Sequence, residues 1–302
     1  MCGIIGLLMK DPDLRPQLGA LMVPMLIGMS ERGPDSAGLA VFTQPLPPGH
    51  HKISVYSGLA TEGAAYDWNH LADEMGQALH ETVLAQATGN HAILRFQADV
   101  AQARAWLHAH APALHLMSAG ERIDLYKDVG TPAEVCARYD FARLQGSHLI
   151  GHTRMATESA VTPDRAHPFT AGRDFCLVHN GSLSNNYAVR RMLESEGIAF
   201  ETDNDTEAAC RFLEWRMREG NTLEEALQLS LEALDGFYTF LMGTADKMAL
   251  IRDPFACKPA LVAETDAWVA VASEFRALAH LPGIDQAHVF EPKPKEIYIW
   301  QA

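Results

Sequence analysis

The chain begins MCGIIGLLM (residues 1–9), and this stretch decides how the rest of the sequence is interpreted. Residues 4–9 form a short apolar run, which predicts a buried β-strand at the amino terminus. Loss of Met1 would leave Cys2 with a thiol and a free α-amine on one residue. Because such an amine titrates near about pH 8 and a thiol near about 8.5, the amine can act as the base for its own thiol. Taken alone, however, a cysteine here is more often a small buried residue, so a catalytic role needs support from other segments.

The overall composition is that of a globular protein that acts on small molecules or on other proteins. The chain has 302 residues, of which 48% are hydrophobic and 21% charged, and it can bury a sizeable core. Its formal net charge of -14 would repel a phosphate backbone, so we expect no nucleic-acid partner. The apolar stretch at residues 18–29 contains Pro24 and is too short to span a bilayer, so we expect no membrane association.

The amino terminus, the cysteines and the histidines indicate the cellular compartment and whether disulfides or metal ions are expected. No basic segment precedes the first apolar run, as a secretory signal would require, and we expect a cytoplasmic protein. The five cysteines are scattered and never form C-x-x-C, which argues against a disulfide framework or a structural zinc site. The histidines that most suggest a metal site, His108 and His110, stand two residues apart on a predicted helix, so the side chains diverge. We therefore expect neither a metal nor a cofactor.

The hydrophobic periodicity predicts a mixed α/β protein with many antiparallel strands. After the first strand, further strands are predicted at residues 39–42, 53–56, 149–152, 175–179, 237–242, 248–251, 268–272 and 297–300. Helices are predicted at residues 184–196, with Ser184 as the cap, and at 222–234, with Thr222 and Glu225 as a capping box. Between Gly58 and Gln145, helical periods at 66–86 and 99–111 alternate with a strand at 92–96. We expect an insertion at about 58–145 in an otherwise single domain.

Two segments carry side chains suited to binding a substrate. The run GHTRMAT (residues 151–157) places Arg154 just after a strand, where loops commonly carry ligands. A guanidinium there can hold a carboxylate through two parallel hydrogen bonds, although a lone arginine is more often a surface charge. The run TDNDTE (residues 202–207) precedes a helix, and Asp205 could bind an ammonium group or merely cap that helix.

A third segment, HNG (residues 179–181), offers two hydrogen-bond donors at the end of a strand. The amide of Asn180 and the backbone N–H of Gly181 could stabilise the oxyanion that forms when a thiolate adds to an amide carbon. Such a donor contributes roughly 3 to 4 kcal/mol to catalysis. Asn-Gly is also a common tight-turn dipeptide, so the pair alone decides nothing.

Together these segments resemble the class II glutamine amidotransferases, which belong to the N-terminal nucleophile hydrolase family. The resemblance spans nearly the whole chain, because seven segments occur in the order found in the family. The segments are MCGIIG (1–6), RGPDSAG (32–38), GHTRMAT (151–157), HNG (179–181), NDTE (204–207), RDPF with KP (252–259) and SE (273–274).

The resemblance implies the fold and the roles of the site residues. The implied fold is α+β, a four-layer αββα sandwich of two mostly antiparallel sheets. Cys2 would be nucleophile and base, with Asn180 and Gly181 as the oxyanion hole. Five further residues would form the substrate site. These are Arg154 on the α-carboxylate of glutamine, Thr157 in support, Asp205 on its α-ammonium, and Arg32 and His179 beside them.

The sequence also indicates where the released ammonia goes. We find no P-loop, dinucleotide fingerprint or phosphoribosyl-type acidic motif, so the ammonia-acceptor site is expected on a synthase subunit in a hetero-oligomer. In this respect the chain resembles the amidotransferase subunit of glutamate synthase-related complexes, including N-methylglutamate synthase. Three alternatives remain open: the glutaminase of another biosynthetic pathway, a non-catalytic scaffold that keeps the fold, and a related hydrolase acting on other amides.

Overall fold

The computed structural model describes residues 2–58, 66–155 and 162–302. Within them are sixteen strands: β1 (Gly3–Met9), β2 (Ser36–Phe42), β3 (His51–Tyr56), β4 (Leu84–Thr88), β5 (His91–Phe96), β6 (His115–Gly120), β7 (Ile123–Val129), β8 (His148–Arg154), β9 (Phe169–Thr170), β10 (Cys176–Leu183), β11 (Gly236–Gly243), β12 (Lys247–Arg252), β13 (Leu261–Glu264), β14 (Trp268–Ala272), β15 (His288–Phe290) and β16 (Ile297–Gln301). The same residues form seven α-helices: α1 (Leu18–Gly28), α2 (Trp68–Leu79), α3 (Val100–His110), α4 (Pro132–Arg138), α5 (Asn186–Ser195), α6 (Asp205–Arg218) and α7 (Leu223–Ala233).

Two antiparallel sheets form the centre of the molecule. The larger has seven strands in the order β15-β13-β14-β1-β8-β2-β7, and the second has five in the order β16-β12-β11-β10-β9. Their facing sides share one buried apolar core, to which Ile4, Ile150, Val178 and Leu241 belong. The alternation of side chains along each strand sends every second residue into this core. Only every second residue of a strand can therefore reach a site between the sheets.

Helices cover the outer face of each central sheet. On the larger sheet, α1 and α4 pack through residues such as Met25 and Val135 against the outward side chains of β1, β2 and β8. On the second sheet, α5, α6 and α7 pack through residues such as Leu193 and Leu227. The order of layers is thus helix, sheet, sheet, helix. This confirms the four-layer αββα sandwich expected from the sequence.

A third, smaller sheet lies between β2 and β7 in the chain. Its four strands have the order β4-β5-β3-β6, and α2 and α3 pack on it around a separate core. This sheet with its helices runs from His51 to Gly120, and the next strand, β7, pairs with β2 in the larger sheet. The domain boundary expected at about 58–145 stays a prediction. The secondary structure within that range belongs partly to the small sheet and partly to the large one.

Several local predictions can be compared with the observed elements. The capping box of α7 is confirmed, because the Thr222 side chain accepts from the Glu225 amide and the Glu225 carboxylate accepts from the Thr222 amide. The helix predicted over 66–86 is wrong beyond Leu79. His80 takes a left-handed conformation with φ of 58° and ends α2, and β4 then pairs with β5. Ser184 is not the cap of α5, because the N-cap position is Asn185; the amide of Ser184 instead donates to the carbonyl oxygen of Asp235.

None of the helices in the described part of the chain is long and apolar enough to cross a membrane.

Candidate active site

The candidate site lies where the central strands of the larger sheet end. Strand pairing aligns Ile4 of β1 with His152 of β8, and the same His152 with Gly38 of β2. Ile4 projects into the core between the sheets, so Cys2, two residues earlier, lies on the same side of the chain. By the same alternation His152 and Arg154, which follow Ile150 at every second position, lie on the inner face of β8. The nucleophile candidate and the arginine therefore lie on the inner face of the sheet, at the same end of these two neighbouring strands.

Arg32 fixes the backbone at the amino terminus. Its Nε donates to the carbonyl oxygen of Cys2 at 2.9 Å, and its Nη1 donates to Oε1 of Glu274 at 2.9 Å. The guanidinium is buried, with 7% of the residue exposed. Ile4, two residues further along in β1, is also held, since its amide donates to Oγ of Ser273 at 3.0 Å. Cys2 itself is partly exposed, so the chain is anchored while the residue stays accessible.

Arg154 is the last residue of β8. It is buried, with 7% of its surface exposed, and its carbonyl oxygen accepts from the amide of Asp35 at 3.1 Å. This bond ties the segment just before β2 to the end of β8. Thr157, the residue expected to support Arg154, lies outside the described residues.

Asn180 and Gly181 lie near the end of β10 in the second sheet. Val178 belongs to the core between the sheets, so Asn180 projects from the same face of the strand. Asn180 is 3% exposed, and its Nδ2 has no hydrogen-bond partner among the residues that the structure describes. A buried amide donor without a partner is unusual and is expected where a ligand completes the bonding.

Gly181 stands where no side chain fits. Its φ is 146°, and a Cβ atom would lie 1.8 Å from the carbonyl oxygen of Phe237 on the neighbouring strand β11. Only glycine accepts both this backbone angle and this close approach. The sequence Asn-Gly therefore marks a distortion within a strand here, not the tight turn that the dipeptide commonly forms.

Asp205 is the first residue of α6, and it does not cap the helix. Asn204 does so, through its Oδ1 and the amide of Thr206 at 2.8 Å. The Oδ2 of Asp205 instead accepts from the amide of Leu183 at 2.9 Å, just beyond Gly181. Burial raises the pKa of Asp205, but hydrogen bonds from His179 and from the Leu183 amide outweigh it, and the pKa is lowered overall. The carboxylate is thus held ionised beside the end of β10.

His179 lies on the face of β10 opposite to Asn180. Its Nδ1 is 3.1 Å from the hydroxyl of Thr206 and 3.6 Å from Oδ1 of Asp205. The carbonyl oxygen of His179 accepts from Nε2 of His152 at 3.1 Å. This last contact joins β8 of one sheet to β10 of the other, one residue before Asn180 and two residues before Arg154.

Among the residues that the structure describes, the predicted site residues come together at one end of the molecule from two sheets. Cys2, Arg32 and Arg154 come from the larger sheet and the segments beside it. Asn180, Gly181, His179 and Asp205 come from the second sheet and α6. Within the described ranges, no group of three or more His, Cys, Asp or Glu side chains is arranged to hold a metal ion.

Sequence reasoning assigned no role to several residues that hold this arrangement together, among them His152, Thr206 and His167. Thr206 stands inside the NDTE segment without an assigned role, and His167 lies outside all seven segments. The Nε2 of His167 is 2.7 Å from the Thr206 hydroxyl, and both residues are buried. The only local signal at His167 was a histidine followed by proline, which does not reveal a partner on another element.

Comparison with known proteins gives a consistent result. A family model described as a glutamine amidotransferase domain matches residues 152–280. The glutamine amidotransferase-like protein GlxB of Rhizobium meliloti (strain 1021) is 48% identical over 300 residues, which cover 99% of this chain and 98% of that protein. A putative glutamine amidotransferase of Methanothermobacter thermautotrophicus is 33% identical over 321 residues, covering 100% of both chains.

Among solved structures, the glutamine phosphoribosylpyrophosphate amidotransferase of B. subtilis has a TM-score of 0.62 at 20% identity. The match covers 99% of this chain and 47% of that one, so this chain spans about half the length of that structure. The likeness shows the fold, the sandwich of the N-terminal nucleophile hydrolases. With its full-length relatives, the chain belongs to the class II glutamine amidotransferase family. The family and fold expected from the sequence are thereby confirmed.

Proposed function

We propose that the chain hydrolyses glutamine to glutamate and ammonia through a thioester on Cys2. After loss of Met1, the α-amine of Cys2 takes the thiol proton, and the thiolate adds to the side-chain amide carbon of glutamine. The carbon–nitrogen bond then breaks, and ammonia leaves with the proton held by the amine. Water cleaves the γ-glutamyl thioester, which releases glutamate and restores the thiol.

The observation that carries this proposal is the unpartnered amide of Asn180. Its Nδ2 is buried on the inner face of β10, which points into the space between the two sheets. The end of β1 faces the same space. A donor that is already oriented and desolvated stabilises a developing oxyanion without reorganisation. The backbone N–H of Gly181 would be the second donor.

The amino-acid end of glutamine requires one cation and one anion. In the proposed complex, Arg154 holds the α-carboxylate, with Thr157 in support, and Asp205 holds the α-ammonium. The lowered pKa of Asp205 keeps it charged at neutral pH. Arg32 orders the segment that carries Cys2 through its bond to the Cys2 carbonyl. For His179, predicted to bind substrate, the contacts with α6 favour a supporting role.

We further propose that the ammonia passes to a synthase subunit on another polypeptide in the cytoplasm. The support is the absence from the sequence of any recognisable nucleotide or phosphoribosyl motif. The sequence resembles the amidotransferase subunit of glutamate synthase-related complexes, including N-methylglutamate synthase, so a synthase of that type is the proposed partner. Purification from the native host, with identification of the subunits that accompany the chain, tests this part separately.

The glutaminase proposal is tested by ammonia release from glutamine, asparagine and a simple acyl amide. We expect release from glutamine only, and its loss in Cys2→Ala with an unchanged melting temperature. Cys136→Ala is the matched control, because Cys136 is buried in α4 on the far side of the larger sheet. Retained turnover in Cys2→Ala refutes the mechanism, equal release from all three amides points to another amide hydrolase, and no release from the wild type supports a scaffold.

A further inference from the structure

The buried hydroxyl of Thr206 connects two parts of the candidate site, the end of β10 and the start of α6. Oγ1 of Thr206 lies 3.1 Å from Nδ1 of His179, 2.7 Å from Nε2 of His167 and 3.4 Å from Oδ1 of Asp205. Thr206 is 1% exposed, so water does not compete for these bonds. Neither the family assignment nor the proposed chemistry gives this residue a role.

The chemistry of the hydroxyl fixes the direction of each bond. A hydroxyl has one proton to donate and two lone pairs that accept. The carboxylate of Asp205 can only accept, so it takes the proton of Thr206. The two imidazoles then donate to the oxygen, His179 from Nδ1 and His167 from Nε2. All the bonding capacity of the hydroxyl is used. Its removal would take away the partner of Nε2 of His167 and leave Nδ1 of His179 only the more distant carboxylate of Asp205.

His179 is held on its main chain as well. Nε2 of His152 lies 3.1 Å from the carbonyl oxygen of His179, and because a carbonyl only accepts, this nitrogen carries the proton. Burial lowers the pKa of His152 to about 3, so the ring is neutral and the bond persists over the physiological range. The ring of His179 and the peptide just before Asn180 are therefore fixed from two different layers.

The third partner, His167, is also immobilised. Its ring stacks on that of His152 with centroids 4.1 Å apart. The segment that carries it is held by Lys127, whose Nζ donates to the carbonyl oxygens of Ala166 and Pro168 at 2.9 and 3.2 Å. The hydroxyl of Thr206 is thus anchored to a rigid support, which a positioning role requires.

We propose that Thr206 and His152 are positioning residues that hold His179 from its ring and from its carbonyl, and so set the geometry of Asn180 and Asp205. The inference rests on the proposed glutaminase function. Thr206 acts on both ends of the substrate, because Asp205 would bind the α-ammonium while Asn180 would stabilise the oxyanion. His152 acts mainly on the oxyanion end.

The test uses substitutions that differ in one hydroxyl. Thr206→Val keeps the shape of the side chain and removes the hydroxyl, whereas Thr206→Ser keeps the hydroxyl. The matched control is Thr170→Val, which removes another threonine hydroxyl bond, to the Met117 carbonyl, away from His179 and Asp205. Each variant is made with Cys257→Ala, because Cys257 is exposed and would react with thiol reagents.

We expect Thr206→Val to raise KM for glutamine and lower kcat, with a loss in kcat/KM of about tenfold or more, since a bond to a charged group is lost. Thr206→Ser and Thr170→Val should stay within about threefold of the parent. Inactivation by a diazoketone analogue of glutamine should slow in parallel with kcat/KM. Alkylation of Cys2 by iodoacetamide should change by less than about twofold, because that reagent uses neither Asn180 nor Asp205.

Two results would overturn the inference: valine and serine variants whose kcat/KM values agree within about threefold, or an equal loss in the iodoacetamide rate. If thermal melting shows that Thr206→Val is unfolded, the pair His152→Gln and His152→Leu decides. Glutamine keeps a donor at the position of Nε2, so only leucine should lower kcat by about tenfold with KM nearly unchanged. Equal activities of that pair contradict the inference, whereas a wild type inactive on glutamine contradicts the proposed function itself.

Discussion

Arg154 illustrates how a single side chain is expected to select the substrate. It is buried at the end of β8, beside the end of β1 where Cys2 lies. In the proposed complex its planar guanidinium forms two parallel hydrogen bonds with the α-carboxylate of glutamine. A lysine offers the same charge as a single point and cannot reproduce that geometry.

We therefore predict that Arg154→Lys raises KM for glutamine by about tenfold or more, while kcat changes much less. Steady-state kinetics with glutamine measures both constants. Arg143→Lys is the control, because the side chain of Arg143 is 86% exposed and lies in a surface turn. An unchanged KM in Arg154→Lys would show that this arginine does not hold the substrate.

At the scale of residues, the sequence indicated the chemistry but not the support around it. Cys2, Asn180 and Asp205 stand in recognisable segments, because a nucleophile, an amide donor and a carboxylate each have a characteristic local context. Thr206 and His167 are different. Their function is a contact between α6 and a distant loop, and no local pattern in the sequence records which partner a buried hydroxyl meets.

At the scale of elements, the pairing of β10 with β11 shapes the proposed oxyanion hole. Gly181 pairs with Tyr238, and the backbone of Phe237 approaches so closely that a Cβ atom at Gly181 would meet its carbonyl oxygen at 1.8 Å. Since that neighbour is main chain and belongs to a paired strand, it cannot move aside without disturbing the sheet.

Gly181→Ala should therefore destabilise the protein by clearly more than a positive φ alone explains. Gly197→Ala is the matched control: Gly197 has a φ of 79°, and nothing lies within 4 Å of its would-be Cβ. We expect a cost of about 1 kcal/mol at Gly197 and of at least about 3 kcal/mol at Gly181. Urea unfolding of both variants gives the comparison, and equal costs would contradict the steric account.

Element prediction failed where burial depends on distant partners. Residues 123–129 (IDLYKDV) alternate poorly and contain three charged residues, so the sequence did not indicate a strand buried in the larger sheet. The structure buries Asp124 by pairing it with Lys52 at 2.6 Å, and Asp128 by a contact with Arg138. Charged residues enter a sheet only when such partners are available, and the partner of Asp124 comes from β3.

At the scale of the whole molecule, buried histidines link stability to pH. Burial lowers the pKa of His91, His148 and His152 to about 3 from an ordinary value of 6.5. Between these two values the unfolded chain binds protons at these positions and the folded chain does not. By linkage, acid favours the unfolded state throughout that window.

The free energy of unfolding should therefore fall as the pH is lowered below about 6.5, and the loss from these three groups should continue to about pH 3. Urea unfolding at a series of pH values measures the slope. His148→Gln should reduce the slope by about one proton, whereas His110→Gln, at an exposed helix end, should leave it unchanged. A stability that does not vary between pH 8 and 5 would contradict these buried neutral histidines.

The global arrangement was the most predictable level, because seven segments in family order specify how the sheets connect. What the molecule does with that arrangement depends on one atom, the sulfur of Cys2 at the mature amino terminus. The direct test is mass spectrometry of the amino-terminal peptide from protein quenched with acid during glutamine turnover. We predict a peptide that begins at Cys2 and carries one glutamyl group removable by hydroxylamine; active protein that retains Met1, or that carries the glutamyl group on another residue, would contradict the account.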